Sequence, residues 1–418
     1  MRRIRRTGPT ANHRQPSTST GGRRIYIHKK IIKHAPPAPQ RPTQVNKKTK
    51  TTKTTGETEA ELKVHRDRID GIDEQILELM NRRIEVAQSI GAIKSSDTSS
   101  PAPPVFYRPE REARVLKRLR KLNRGPLDNA ALEALFREIM SVTRGSEAGL
   151  SVAILGPLGT YSESAARQHF GSSISIVPSA TIDEIFRAAE IGQTDFAVAP
   201  VENSTEGGVS GTLDRLVTTS LTACGEINLR IHHNLLGIGD GLSAVKRVIA
   251  HSQSLAQCKR WLDRNLPGIE LLPAGSNADA AIQARNDPAL AAIAGDSAAE
   301  RYGLNHLAAN IEDEPGNATR FLVFSNRPTP PSGDDKTSLL LSCRNRPGAL
   351  FHLLKPLLDH QVDMTRIESR PSKTGLWEYI FFVDIAGHQE DAEIAEALQE
   401  LKAEAGLYKN LGSYPVSS

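Results

Sequence analysis

The sequence predicts a multidomain protein in which an all-α segment is followed by an α/β segment and then by an α+β segment. Apolar residues recur every seven positions between Glu59 and Lys94, a stretch without proline, which predicts one long helix. Short β-rich runs alternate with helical stretches over residues 150–330, and that alternation is typical of an α/β fold. Residues 336–418 show a βαββαβ order, which predicts a ferredoxin-like α+β fold.

An amino-terminal arm differs sharply in composition from the rest of the chain. Residues 1–56 contain 15 Lys and Arg and no Asp or Glu, so the other 38 basic residues (53 − 15) are outnumbered by 48 acidic residues. The arm has too little apolar material to form a core, and we predict that it is disordered. Nucleic-acid contact and organelle targeting are alternatives to a plain solvated extension or an over-long gene start. The solvated extension is the simplest interpretation, so nucleic-acid binding is not expected.

The cysteines and the hydropathy pattern exclude other protein classes. Cys224, Cys258 and Cys343 lack metal-ligand spacing, which favours free thiols in a reducing compartment over a disulfide framework. No apolar run approaches the roughly 20 residues that a membrane helix needs. We therefore expect a cytoplasmic protein with no membrane contact, no metal and no other cofactor.

The helical segment, residues 57–148, is predicted to need a second copy of the chain. Two shorter helices are expected at about 109–123 and 127–144, and neither can cover the long helix. Dimerisation along the long helix is the natural solution, so the prediction is a homodimer or a larger assembly. The apolar repeat consists of Leu62, Ile69 and Ile76, interleaved with Ile72, Leu79, Val86 and Ile93.

Two motifs of the α/β segment carry the chemistry. Gly156–Glu163 follows an apolar run and precedes an alanine-rich helix, so this glycine loop presents backbone N–H groups to an anion. Asn317–Phe321 places the hydroxyl of Thr319 and the guanidinium of Arg320 side by side before a strand-like run.

These two motifs, together with others between them, resemble prephenate dehydratases. The resemblance implies two lobes, as in periplasmic binding proteins, with prephenate bound in the cleft between them. One lobe would contain residues 150 to about 225 and 305–330, and the other residues 228–304. The intervening motifs are Pro200–Gly208, Leu213–Asp214, His233–Gly237 and His251–Cys258.

The same resemblance implies roles for individual residues. Thr319 would be the essential hydroxyl, and Arg320 and the Gly159–Thr160 loop would bind anionic groups. The cleft would also be lined by Glu202, Asn203, Ser204 and Gln257, of which Glu202 and Gln257 are predicted to be catalytic.

Charged residues of the helical segment follow the order found in the all-helical chorismate mutases. The resemblance implies that Arg82 and Arg66 bind the two carboxylates of chorismate, with Arg66 contributed by the partner chain. Lys94 would donate to the ether oxygen, and Glu112 would hold the ring hydroxyl with support from Arg111. The motifs are Arg66–Asp70, Asp73–Glu74, Asn81–Arg83, Gly91–Lys94 and Tyr107–Glu112.

Three positions depart from the mutase pattern or vary within it. Arg108 stands where some relatives have Asp, and Thr143 stands where Ser is common. Glu147 stands where a Gln or Glu faces the ether oxygen, and a Glu there must be protonated in order to donate. The sequence therefore leaves the pH dependence of the mutase reaction open.

The last segment resembles the amino-acid-binding ACT domain that accompanies these dehydratases. Its two motifs, Arg346–Leu350 and Glu368–Pro371, correspond to effector loops. The resemblance implies that L-phenylalanine binds there. The residues expected at this effector site are Gly348, Ala349, Leu350, Glu368, Ser369, Arg370 and Pro371.

Taken together, the resemblances identify a member of the bifunctional chorismate mutase/prephenate dehydratase family. Such a protein would make prephenate from chorismate and phenylpyruvate from prephenate, under feedback inhibition by L-phenylalanine. One alternative is a monofunctional dehydratase whose helical domain only dimerises. The other is a non-catalytic amino-acid-binding regulator that contacts nucleic acid through its basic arm.

Overall fold

The computed structural model describes residues 55–96, 106–343, 346–372 and 379–417. The predicted arm, residues 1–56, lies outside them except for its last two positions, and so does most of the predicted loop at 95–104. The chain divides into two units, Met1–Asp67 and Arg68–Ser418. The sites described below lie within the second unit.

Three helices form the first part of the fold: α1 (Thr55–Ser96), α2 (Pro109–Leu122) and α3 (Asn129–Glu147). Proline is favourable at the first position of α2, because an N–H at that position would have no acceptor within the helix and proline has none to satisfy. Asp128 caps α3 by accepting the N–H groups of Ala130 and Ala131 at 2.9 and 3.0 Å. The apolar repeat of α1 is largely exposed in the single chain, and the predicted dimerisation along this helix stays a prediction. Its exposed apolar residues include Leu62, Ile69, Ile72, Ile76, Leu79, Val86 and Ile93.

The first lobe of the α/β segment contains a sheet of order β2-β1-β3-β11-β5, and a short strand β4 pairs with β3. Strand β11 is antiparallel to both of its neighbours, whereas β1 is parallel to β2 and β3. The strands are β1 (Leu150–Leu155), β2 (Ile174–Ser179), β3 (Phe196–Asn203), β4 (Gly207–Gly208), β5 (Thr222–Arg230) and β11 (Ala318–Ser325). The helices are α4 (Tyr161–Phe170), α5 (Ile182–Glu190) and α6 (Ser210–Thr218).

The second lobe contains a sheet of order β10-β6-β9-β7-β8. Residues 305–308 form β10 and pair with β6, so they belong to this lobe. The prediction that placed them in the first lobe is wrong. The helix predicted from Ser254 to Leu266 is two helices, separated at Cys258. The strands are β6 (Asn234–Gly237), β7 (Arg247–His251), β8 (Glu270–Ala274), β9 (Leu290–Ala294) and β10 (Asn305–Ala308). The helices are α7 (Ser252–Gln257), α8 (Lys259–Asn265), α9 (Asn277–Ala284) and α10 (Asp296–Tyr302), with a 3-10 turn at Leu242–Ala244.

The last segment has the predicted βαββαβ order and an antiparallel sheet of order β13-β14-β12-β15. The predictions of an all-α, an α/β and an α+β ferredoxin-like segment are confirmed. The elements are β12 (Asp335–Ser342), α11 (Ala349–Asp359), β13 (Met364–Pro371), β14 (Tyr379–Ala386), α12 (Ala392–Glu404) and β15 (Leu407–Pro415). The start predicted for β14, at Gly375, lies outside the described residues.

The α+β segment packs directly on the first lobe. Tyr414, Phe382 and Leu340 share a buried cluster with Phe186 and Leu213 of that lobe. Strand β15 approaches β5 so closely that a Cβ at Gly412 would collide with the backbone of Ala223. Gly412 also has a φ of 132°, which a residue with a side chain rarely adopts. The two domains are therefore in backbone contact and not merely joined by a linker.

Candidate active sites

A cavity of about 450 Å³ lies among the three helices. It brings together the side chains that the mutase resemblance singled out on the later part of α1, on α2 and on α3. Lys94 also lies 5.4 Å from the centre of the Phe106 ring. The predicted residues that line the cavity are Lys94, Arg108, Arg111, Glu112, Thr143 and Glu147.

Arg83, and not the predicted Arg82, is the arginine of α1 that lines this cavity. Arg82 lies on the exposed side of the helix, where it pairs with Glu78 at 2.9 Å. Arg83 donates a hydrogen bond to Thr143 Oγ1. Lys94 follows Arg83 by 11 residues, about three helical turns, so both residues share one face, whereas Arg82 lies about 100° around the helix. This spacing was present in the sequence and could have selected Arg83.

Glu112 forms a buried ion pair with Arg144, which the sequence analysis did not single out. The Arg144 guanidinium also donates to the carbonyl oxygen of Phe170 at 2.6 Å and lies 4.8 Å from the centre of the Tyr107 ring. Burial raises the pKa of Glu112, and the charge of Arg144 opposes that rise. Arg144 therefore holds Glu112 and also connects the helical segment to the end of α4.

Arg66, predicted to reach across from a partner chain, lies on the exposed beginning of α1. It belongs to the first unit, Met1–Asp67, whereas every residue lining the cavity belongs to the second. The role of Arg66 stays a prediction.

The predicted dehydratase residues Thr319 and Asn203 lie opposite each other on β11 and β3. Asn203 Nδ2 donates to Thr319 Oγ1 at 2.9 Å and to Asn317 Oδ1 at 3.0 Å. Ser204 Oγ lies 3.4 Å from Asn317 Oδ1 and accepts the N–H of Ala318 at 3.0 Å. Because Asn203 donates to Thr319 Oγ1, the hydrogen of the Thr319 hydroxyl is free for another acceptor.

Gln257, at the end of α7 in the second lobe, joins this cluster. Its Oε1 lies 3.1 Å from Asn317 Nδ2 and 2.8 Å from His233 Nε2. The other ring nitrogen of His233, Nδ1, lies 2.9 Å from the hydroxyl oxygen of Tyr161. His233 and Tyr161 were not assigned a role from the sequence, although His233 opens one of the quoted motifs. The cluster therefore spans both lobes.

Glu202 and Arg320 lie on the opposite side of the same strands. Side chains alternate along a strand, so the neighbours of Asn203 and Thr319 must point the other way. Glu202 accepts from Arg366 Nε of β13 at 2.5 Å. The expectation that Glu202 lines the cleft is therefore corrected.

Arg320 is a buried contact between domains. It donates to Glu226 at 2.9 Å, to Asp384 at 2.7 Å and to the Tyr414 hydroxyl at 2.8 Å. Burial lowers the pKa of Arg320, but Tyr414, Asp384 and Glu226 together raise it above its ordinary value. These partners replace the anionic substrate group that Arg320 was expected to bind.

The glycine loop before α4 is filled by a carboxylate of this chain. The N–H of Gly159 donates to Glu163 Oε2 at 2.7 Å, and Glu163 also pairs with Arg301 at 2.6 Å. Thr160 Oγ1 donates to the carbonyl oxygen of Leu155 at 3.1 Å. The expectation that this loop offers bare N–H groups to an external anion is therefore corrected at Gly159.

The predicted effector residues are divided between two elements of the α+β segment. Gly348 precedes α11 with a φ of 74°, followed by Ala349 and the exposed Leu350. On β13, the side chains of Glu368 and Arg370 face the first lobe, whereas Ser369 and Pro371 are exposed. Glu368 lies directly against Gly208, and Arg370 donates to the carbonyl oxygen of Ser210 at 3.2 Å.

Metal and membrane sites were sought in the part of the chain that the structure describes. There, no group of three or more His, Cys, Asp or Glu side chains could hold a metal ion. None of the described helices combines the length and the apolar character that crossing a membrane requires. The three cysteines are free thiols, with Cys224 and Cys258 buried.

Family models match the three segments in order. Chorismate mutase type II matches residues 65–148, prephenate dehydratase matches residues 152–329, and the ACT domain matches residues 337–403. The chain is 49% identical over 356 residues to a bifunctional chorismate mutase/prephenate dehydratase of Stutzerimonas stutzeri, and the match covers 85% of this chain and 98% of the relative.

Solved structures resemble the part of the chain after the helices. One is prephenate dehydratase from Arthrobacter aurescens in complex with L-Phe, with 34% identity and a TM-score of 0.60 over 64% of this chain and 90% of that one. Another is GqqA, described as a quorum quenching acylase, with 33% identity and a TM-score of 0.59 over 64% of this chain and 98% of that one. The order of the family models and the nearly full-length relative are decisive: the chain belongs to the family of bifunctional chorismate mutase/prephenate dehydratases.

Proposed function

We propose that the chain rearranges chorismate to prephenate in the helical cavity and converts prephenate to phenylpyruvate between the two lobes. The observation that carries this proposal is that two chemically different clusters occur in separate domains. One is the cationic cavity around Lys94, and the other is the amide and hydroxyl cluster around Thr319. The match to a bifunctional relative over 98% of its length supports both activities.

In the mutase cavity, positive charge binds a dianion. Chorismate carries two carboxylates and rearranges through a pericyclic transition state, so the enzyme supplies no nucleophile and moves no proton. Arg83 and Arg111, which line the cavity, bind the carboxylates, with Arg66 of a partner chain as a further candidate. Lys94 donates to the ether oxygen, where negative charge develops as the carbon–oxygen bond breaks.

The remaining polar residues of the cavity orient the ring. Glu112, held by Arg144, accepts the ring hydroxyl, and Thr143 keeps Arg83 in place. Arg108 adds positive charge to the lining of the cavity. Glu147 lines the same cavity, where its carboxylic acid form supplies a second donor to the ether oxygen.

In the cleft, the hydroxyl of Thr319 assists the departure of the ring hydroxyl of prephenate. The bond from the substrate's ring carbon to its carboxylate breaks, and its electron pair enters the ring as carbon dioxide leaves. The ring hydroxyl departs with the carbon–oxygen electron pair and becomes water by gaining one proton, which Thr319 supplies and recovers from solvent. Thr319 suits this role because Asn203 occupies its oxygen and leaves its hydrogen available.

We further propose that L-phenylalanine binds the ACT segment and inhibits the dehydratase. The complex of the Arthrobacter relative with L-Phe supports this ligand. The predicted effector residues Glu368 and Arg370 contact the first lobe, which supplies a physical connection from the effector to the cleft. Gly348, Ala349, Leu350, Ser369 and Pro371 would form the remainder of the effector site.

A second copy of this chain is the proposed partner for the exposed apolar face of α1. Burying that face would place Arg66 of one chain near the other, as the mutase resemblance implies. The free thiols are consistent with the proposed cytoplasmic location. Sedimentation of the full chain over a range of concentrations tests the dimer.

The decisive experiment supplies chorismate and measures prephenate and phenylpyruvate separately. Formation of both products supports the bifunctional enzyme. Turnover of added prephenate without chorismate consumption would leave a monofunctional dehydratase. Inactivity on both substrates, with salt-sensitive DNA binding that is lost on deletion of residues 1–56, would identify the regulator instead.

A further inference from the structure

The amide groups around Thr319 have only one consistent orientation. Asn203 Oδ1 accepts the backbone N–H of Thr205 at 3.0 Å, and a backbone N–H can only donate. This contact fixes which end of the Asn203 amide is oxygen, a choice that amide geometry alone does not settle. The NH₂ of Asn203 must then face Thr319 and Asn317.

The orientation of Asn203 propagates across the cleft. Asn317 presents its oxygen to Asn203, so its NH₂ is the group that donates to Gln257 Oε1. The other end of the Gln257 amide is therefore an NH₂. This nitrogen is buried and has no hydrogen-bond partner among the described residues. A buried unpaired donor is costly, which indicates that an acceptor binds there in the working state.

His233 closes the chain at its far end. Its Nε2 lies 2.8 Å from Gln257 Oε1 and must carry a hydrogen, because an oxygen at this position only accepts. Nδ1 is then a lone pair that faces the hydroxyl of Tyr161 at 2.9 Å. If the hydrogen moved to Nδ1, the lone pair on Nε2 would face Gln257 Oε1, and turning the amide would break its bond to Asn317.

Burial favours the uncharged form of both rings. Burial lowers the pKa of His233, although Gln257 and Glu312 favour its protonated form and His232 disfavours it. Burial also raises the pKa of Tyr161 well above its ordinary value. Tyr161 thus remains a hydroxyl donor, shared between His233 Nδ1 and the carbonyl oxygen of His232 at 2.7 Å.

We infer that His233, oriented by Tyr161, is a positioning residue of the dehydratase reaction. It fixes the tautomer that holds the Gln257 amide, so that the unpaired NH₂ of Gln257 and the hydroxyl of Thr319 both donate to oxygens of the bound substrate. His233 lies in the polypeptide segment that passes from β5 of the first lobe to β6 of the second. Its contact with Tyr161 of the first lobe therefore also helps to hold the second lobe against the first. This inference rests on the proposed dehydratase function.

The test uses the full-length chain and four variants. His233→Leu removes both ring nitrogens, and His233→Gln keeps an N–H donor near the position of Nε2. Tyr161→Phe removes only the hydroxyl that faces Nδ1. Tyr302→Phe is the matched control, because its hydroxyl donates to the carbonyl oxygen of Leu158 at 2.6 Å, away from the amide chain. Thermal unfolding of each preparation, followed by circular dichroism, verifies folding.

We expect His233→Leu to lower kcat for prephenate by about 100-fold with a smaller change in KM, because a misplaced donor costs the transition state most. His233→Gln should recover most of that loss, and Tyr161→Phe should lower kcat by about 10-fold. The Tyr302→Phe control should remain within about 2-fold of wild type. Equal kcat for His233→Leu and the control, or equal losses in His233→Leu and His233→Gln, would overturn the inference.

A spectroscopic test holds even if the leucine variant does not fold. In wild-type protein with ¹⁵N-labelled histidine, we expect His233 to carry its hydrogen on Nε2 in the neutral ring. A hydrogen on Nδ1 would contradict the orientation assigned to the amides of Asn203, Asn317 and Gln257. Thr319→Ala is measured in parallel, since wild-type dehydration in that variant would refute the proposed reaction site, whereas an inactive Thr319→Ala beside a fully active His233→Leu would refute only the role of His233.

Discussion

The cavity of the helical segment and the cluster around Thr319 offer different chemistry to the two proposed substrates. Among the described residues, five cations line the first: Arg83, Lys94, Arg108, Arg111 and Arg144. The second gathers neutral groups, with the hydroxyl of Thr319 at the end of a chain of amides. A rearrangement that moves no proton can use charge from several directions, whereas a dehydration must deliver one proton to one oxygen and therefore needs a donor of fixed direction.

The greatest expected effect comes from removing that donor. Thr319→Ala should lower phenylpyruvate formation by about 1,000-fold or more, while chorismate is still consumed and prephenate accumulates. Thr319→Ser keeps the hydroxyl and should retain part of the rate. Product analysis by chromatography after supplying chorismate measures both steps in one sample. Wild-type dehydration by the alanine variant would remove Thr319 from the mechanism.

The cationic cavity gives the next largest effect, and adjacent arginines provide a matched pair. Arg83→Ala should remove about 3 kcal/mol of transition-state stabilisation from the mutase, since the lost charge faces the bound dianion. Arg82→Ala should leave kcat/KM within about 2-fold, because Arg82 lies on the exposed side of α1. Steady-state rates with chorismate decide between them. A reversed result would mean that the long helix presents its other face to the substrate.

These paired sites also show where sequence reasoning reaches its limit. The order of segments, the heptad of α1 and the neighbourhood of Thr319 follow from periodicity and motifs. Helical periodicity could also have selected Arg83 over Arg82, since Arg83 is 11 residues from Lys94 and shares its face of the helix. The motif alone could not, because it contains two adjacent arginines. Glu202 and Arg320 were misplaced because a motif gives no side of a strand, and alternation turns each away from its neighbour.

Other features of the sites depend on contacts between distant segments. Nothing near Arg144 in the sequence indicates that it would meet Glu112 and the carbonyl oxygen of Phe170. The chain from Asn203 through Gln257 to His233 joins residues of both lobes. Such contacts exist only once the tertiary fold has formed, so only the structure could reveal them.

The buried pair of Glu112 and Arg144 predicts a stability effect with a definite sign. Burial raises the folded-state pKa of Glu112, so ionising this carboxyl costs stability, and the cost appears as pH rises through the folded-state pKa. Arg144 opposes this rise in pKa. Arg144→Met should therefore destabilise the fold by about 2 kcal/mol at neutral pH and by less in acid, where Glu112 is protonated.

Urea unfolding monitored by circular dichroism at both pH values measures this difference. Glu112→Gln combined with Arg144→Met is the control, since it removes the carboxyl and should abolish the pH dependence of the loss. An equal loss at both pH values in the single variant would mean that Arg144 stabilises the fold by packing alone.

A smaller effect should appear where the regulatory domain contacts the back of the dehydratase strands. Arg366 connects Glu368 of the proposed effector site to Glu202, the neighbour of Asn203. Arg366→Gln should raise the L-phenylalanine concentration for half-inhibition by about 5-fold, because it breaks one coupling contact. Lys355→Gln, which removes an exposed pair with Asp359 on α11, is the control and should not change it. Unchanged inhibition in Arg366→Gln would direct the search for coupling to another ion pair between these domains, Arg370 with Asp214 at 3.6 Å.

The smallest effect should come from the arm, which tests whether both sites are independent of its charge. The 15 basic residues of the arm could attract anionic substrates toward either site, and the cationic cavity would then depend partly on charge outside it. We expect no such dependence, since charges in solvent that lie more than about 10 Å apart are largely screened at moderate salt. Deleting residues 1–56 should therefore leave both kcat/KM values within about 2-fold.

The assay is repeated at low and high salt, with DNA binding measured alongside. A deletion that weakens the mutase but not the dehydratase at low salt only would show that the arm supplements the cavity's charge, whereas loss of DNA binding would assign the arm a separate partner.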